Sequence, residues 1–149
     1  MPSGTSGSGK IQEMGGNTEV LAAANDPASR PVRVLPLVVD VPLGEHVQMT
    51  LISIEAWSTF FALRWYFTTL QPSDEVDRRL QARGGWDAAD DAGNSYSGGD
   101  YGGGGGSSLS WTMTTWFAPA LASDAQVLTL SLRSPLDGQE VQMQLNLPR

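Results

Sequence analysis

From residue 32 onward the chain alternates apolar and polar positions in short runs with turn residues between them, the texture of half-buried β-strands. The run 32–41 is rich in Val and Leu and stops at Pro42-Leu43-Gly44-Glu45; Pro36 inside it demotes the run to an edge strand or splits it at a bulge. The next, 46–57, changes phase between Leu51 and Ile52, which predicts a bulge or burial on both faces. In 60–68, Phe61, Leu63, Trp65 and Phe67 share one face and Phe60, Ala62, Arg64 and Tyr66 the other, so this is the expected central strand. Residues 109–117, 127–132 and 141–147 alternate in the same way. Between Ala89 and Ser95, the residues Asp90-Asp91-Ala92-Gly93-Asn94 have the composition of a tight hairpin, where Gly93 or Asn94 can take positive φ.

Two segments depart from this texture. Residues 71–83 read as the one helix, with Ser73 as N-cap, Asp74 and Glu75 at the positive end of the dipole and Arg78, Arg79 and Arg83 at the other. Its apolar content is Val76 and Leu80, enough to cover a sheet edge. Residues 1–30 are rich in Gly, Ser, Ala, Asn and Pro and read as a flexible N-terminal arm, in which 19–24 could form a turn of helix. Seven or eight strands without a βαβ rhythm then predict an all-β domain over 31–149, a two-sheet antiparallel immunoglobulin-like β-sandwich with one short helix in a connection; a small Greek-key barrel is the alternative.

Composition narrows the chemistry. At 149 residues the chain is one domain by length. Sixteen acids against nine bases leave a net charge of −7, which disfavours phosphate neutralisation and hence nucleic acid as a partner. With no Cys and the single His46, thiolate zinc sites, cysteine nucleophiles and most histidine chemistry fall away. Of the 17 glycines, Gly98, Gly99 and Gly102 to Gly106 crowd into one stretch, read as a Gly-rich loop at 98–106. No run reaches the roughly 18 apolar residues of a membrane span, and no signal peptide is readable, so a soluble cytoplasmic protein is expected.

Several patterns touch on chemistry. Gly4-Thr5-Ser6-Gly7-Ser8-Gly9-Lys10 matches part of a phosphate-binding loop, but Ile11 stands where a hydroxyl should meet magnesium and no strand precedes it; it reads as part of the arm. Asp87, Asp90 and Asp91 form a candidate oxygen-ligand set for calcium, although their spacing is not that of an EF-hand and turn chemistry also accounts for Asp91 and Asn94. Between residues 84 and 132 there are five acids, Asp87, Asp90, Asp91, Asp100 and Asp124, and no base. Trp65 and Trp111 are in phase with aliphatic neighbours and belong in a core, whereas Trp57, Trp116 and Tyr101 are candidates for a contact surface, although packing at the ends of a sandwich accounts for them more readily. No nucleophile or acid–base constellation for catalysis is present: Glu55 has no fixed carboxylate partner, and Ser107, Ser108 and Ser110 lack a G-x-S-x-G context.

The segments Ile54-Glu55-Ala56-Trp57, Phe61-Ala62-Leu63-Arg64-Trp65, the D-D-x-G-x-x-Y hairpin from Asp90 to Tyr96, and Phe117-Ala118-Pro119-Ala120-Leu121 before Leu128-Thr129-Leu130 resemble, in this order, small bacterial immunoglobulin-like domains of unknown function, including actinobacterial ones. The resemblance covers about residues 32–147 and implies a sandwich without a known catalytic site. The expected function is that of a non-enzymatic interaction or structural module with a protein partner and no cofactor. Its recognition residues would be Trp57, Asp90, Asp91, Asn94, Tyr96, Tyr101 and Trp116, with the loop end from Asp90 to Tyr101 as the expected surface. The alternative is a carbohydrate- or calcium-dependent ligand-binding module.

Overall fold

The computed structural model describes residues 18–42, 47–69, 86–106, 110–133 and 140–148. These form a helix α1 (Thr18–Ala24) and eight strands: β1 (Pro31–Pro42), β2 (Val47–Trp57), β3 (Phe61–Thr69), β4 (Trp86–Asp90), β5 (Ser95–Gly106), β6 (Ser110–Ala118), β7 (Val127–Arg133) and β8 (Glu140–Asn146). All pairings are antiparallel, and the strands follow one another in a single sheet in the order β1-β2-β3-β6-β5-β4-β7-β8.

That sheet is curled. In a flat sheet β3 and β4, with β6 and β5 between them, would lie roughly 14 Å apart. Instead Trp65 of β3 and Trp86 of β4 meet edge to face with ring centroids 5.6 Å apart. Phe61 of β3 likewise meets Tyr96 of β5 at 5.0 Å. The two halves thus fold over a shared interior in which Trp65, Phe61, Phe67, Trp86, Phe117 and Leu130 are fully enclosed. Trp65 Nε1 donates to the buried Thr115 Oγ1 at 3.0 Å, so the indole N–H is not orphaned there.

The expected two-sheet sandwich is therefore corrected to one eight-stranded half-barrel, and β5 is the physical reason. Its start pairs with β4 (Ala88↔Tyr96, Ala89↔Ser95) and its length pairs with β6, so no gap separates two sheets. The stretch 98–106, expected to be a loop, lies within this strand. Glycines carry no hydropathy alternation, yet their backbone N–H and C=O groups pair like any others. At Gly98 the absent side chain matters: a Cβ would lie 2.6 Å from both the Phe117 ring and the Trp116 carbonyl oxygen.

Strand β1 is an edge, as Pro36 predicted, and its register with β2 shifts between Pro36 and Val39. At that shift Val38 takes φ 56°, a left-handed conformation unfavourable for a β-branched residue. The expected bulge in β2 lies between Leu51 and Ser53. At the sheet's open side, Arg33 Nη1 of β1 donates to the Pro148 carbonyl just past β8 at 2.7 Å.

Within the stretch 1–30 read as an arm, residues 18–24 form the helix α1, where a turn of helix was expected at 19–24. Val20 of α1 is buried where the helix packs on β5 and β6, and Thr59 Oγ1 donates to the Ala23 carbonyl at 2.7 Å. Residues 1–17 with the glycine-lysine pattern, His46, and the helix expected at 71–83 lie outside the described residues.

Candidate functional site

The acidic hairpin forms as predicted between β4 and β5, with Gly93 at φ 92°. Its carboxylates are engaged by the protein's own donors. Asp90 Oδ1 accepts from the N–H groups of Ala92 and Asn94, each at 2.9 Å. Its Oδ2 accepts from Asn94 Nδ2 at 2.9 Å and from the Tyr96 hydroxyl at 2.6 Å. Asp91 Oδ1 reaches across to the start of β7, accepting from the N–H groups of Gln126 and Val127 at 2.9 and 3.1 Å. The Asp91 N–H donates to the Val127 carbonyl, and the Tyr96 hydroxyl accepts from the Ala122 N–H, both at 3.1 Å.

The electrostatics follow from these bonds. Desolvation at Asp90 opposes its ionisation, but the donors from Tyr96, Asn94 and the turn backbone together hold its carboxyl below the usual range. The N–H groups of Gln126 and Val127 do the same for Asp91. Burial, reinforced by the Asp90 acceptor, pushes the Tyr96 phenol up to about 12, so it stays protonated as the donor this network needs.

What the hairpin holds is the segment between β6 and β7, and that segment is one wall of a groove. The groove, of about 490 Å³, lies between Ala120, Leu121, Ser123 and Ala125 on one side and Val32, Arg33, Ala56, Trp57 and Ser58 on the other. The second wall is also fixed. Trp57 stacks on Phe60 (5.4 Å between centroids, 13° between planes), its backbone N–H donates to the Phe60 carbonyl at 2.8 Å, and Arg33 is tied to Pro148. From the groove's edge onward, β1 turns Val32, Val34 and Val38 to solvent, 64%, 62% and 75% exposed.

No family model and no curated protein matches the chain. It is similar to the solved structure of the conserved domain protein from Bacillus anthracis, at a TM-score of 0.50 and 15% identity, over 80% of this chain and 48% of that one. The likeness is one of fold. This chain spans about half the length of that neighbour.

Of the residues expected to form a site, Asp90, Asp91, Asn94 and Tyr96 are brought together, with Tyr96 buried. Trp57 is half-buried and lines the groove that they brace. Trp116 sits half-buried on the outer face of β6 opposite Ala62, and Tyr101 lies in β5, its side chain outside the described residues. Asp87 is exposed on β4 opposite Ser131. Among the described residues no three His, Cys, Asp or Glu side chains converge as metal ligands would. Nor, among them, is any helix long and apolar enough to cross a membrane. The outer valines of β1 and the groove's Arg33 were missed. The available signal was a Pro-containing edge strand with valines on both of its faces, since an edge needs only one apolar face to join a core.

Proposed function

We propose that this chain is a non-enzymatic interaction module that binds a protein partner across the outer face of β1 and the adjoining groove. One observation carries this reading: Val32, Val34 and Val38 stand exposed on one strand, and Val32 is also the lip of a groove lined by Trp57 and Leu121. Apolar side chains in a contiguous row, next to an aromatic-lined concavity, are the composition of a contact surface. The groove walls are pinned by hydrogen bonds before any partner arrives, which lowers the ordering cost of binding.

The test is photo-crosslinking in the cells that make the protein, with the crosslinker placed at Val34 and, as a control, at the exposed Gln144 of β8. A discrete protein adduct from Val34 and none from Gln144 is expected. Equal adducts at both positions, or none at Val34, would overturn the reading. A carbohydrate-binding module is the competing reading, because Trp57 could stack on a sugar ring. It requires retention on immobilised glycans that free sugar reverses.

A further inference from the structure

We infer that the groove selects an extended segment of the partner in which an apolar side chain adjoins an acidic one, the acid pairing with Arg33 and the apolar group packing on Trp57. The inference rests on the module reading above and names the chemistry of its occupant. Among the described residues, Arg33 is the one ionisable residue that lines the groove. One of its nitrogens is committed to the Pro148 carbonyl. Among the described residues no carboxylate pairs with it, whereas Arg64 on the same sheet is paired with Glu55 at 2.6 Å. A guanidinium at an apolar groove with no carboxylate partner among the described residues is a complementary site for negative charge. A guanidinium anchored at one nitrogen still offers further N–H donors in a fixed fork, the geometry a carboxylate accepts.

The backbone of β1 constrains how the occupant lies. Pro31, Pro36 and Pro42 have no N–H to offer, and the left-handed Val38 breaks the ladder, so the edge is poorly suited to adding a strand. Recognition then runs across side chains. The exposed row continues from Val32 to Val38, roughly 20 Å at strand rise, well past Arg33. An occupant that touches both this row and Trp57 extends beyond Arg33, which the side chain of an internal Asp or Glu allows and a terminal carboxylate limits.

The experiment uses the full-length, nitrogen-15-labelled protein and reads the Trp57 indole resonance during titration with the blocked peptide acetyl-Gly-Leu-Phe-Glu-Leu-Gly-amide, the same peptide with Gln for Glu, and acetyl-Gly-Leu-Phe with a free carboxylate. The Glu peptide is expected to shift Trp57 with at least fivefold higher affinity than the Gln peptide. Arg33→Gln should abolish that preference, and Arg33→Lys, which keeps the charge but not the fork, should retain part of it. Equal affinity of the Glu and Gln peptides for the natural protein, or a preference that survives Arg33→Gln in a protein that still melts cooperatively, would overturn the inference. Tighter binding of the free-carboxylate peptide would overturn it in favour of a chain terminus. A Trp57 shift that follows protein concentration without peptide would overturn it in favour of a second copy of the chain. In each of these cases a Val34-specific adduct would leave the module reading standing with a different occupant.

Discussion

The hairpin around Asp90 and the edge around Val34 are opposites. The hairpin gathers the residue types that suggest chemistry, two adjacent carboxylates, an amide and a phenol, and joins them to one another and to the β6–β7 segment. The edge is built from valine and proline, with its outer side chains in water. Polar groups satisfied within the fold have little left to give a ligand, while apolar groups left in water are the ones that gain by being covered. A cluster that looks reactive in one dimension is the brace, and the plain strand is the free surface.

The contrast can be broken most directly at Asp90. Replacing it with Ala removes an acceptor of four hydrogen bonds and strands the Tyr96 hydroxyl, which is expected to cost about 3 kcal/mol of unfolding free energy in urea denaturation. A loss below about 0.5 kcal/mol would mean that the hairpin is not structural. Acid should act on the same brace more gradually. Asp90 and Asp91 are held below their ordinary value of 3.8, so their contribution is fully present above the unfolded value and is lost as pH falls through the depressed folded values. The melting temperature should be level from pH 7 to about 5 and fall below about pH 4. In Asp91→Asn, whose amide oxygen can still accept from Gln126 and Val127, that fall should be shallower. The smallest effect is expected at the edge: Val32→Thr, exposed on β1, should change stability by less than about 0.5 kcal/mol while weakening the adduct formed by the crosslinker at position 34.

How far the sequence can be read depends on where side chains carry the signal. Strands β2, β3, β7 and β8 were legible because one face of each is apolar and that face became the interior, as with Leu63 and Trp65 or Leu128 and Leu130. The hairpin was legible from Gly93 and the Asx residues around it. The curl of the sheet was not, because it depends on a strand whose glycines have no side chain to alternate. In the site, the identities of Asp90, Asp91 and Tyr96 were readable and their work was not: the partners of Asp91 and Tyr96 are backbone N–H groups some thirty residues away, at Gln126, Val127 and Ala122, and any residue type supplies those. Arg33 was hidden for a related reason, since its setting is created by Trp57 and Leu121 from other parts of the chain.

The strand order also has a consequence in time. Strands β1, β2 and β3 are consecutive neighbours, as are β4, β5 and β6, and β7 with β8, so three units can assemble from local pairings. They are joined along two seams, β3 with β6 and β4 with β7, each closing a long loop before its pairing energy is returned. Non-local closure at these seams is where slow folding is expected, and Asp91 bonds across the end of the second, so its loss should be felt in that pairing.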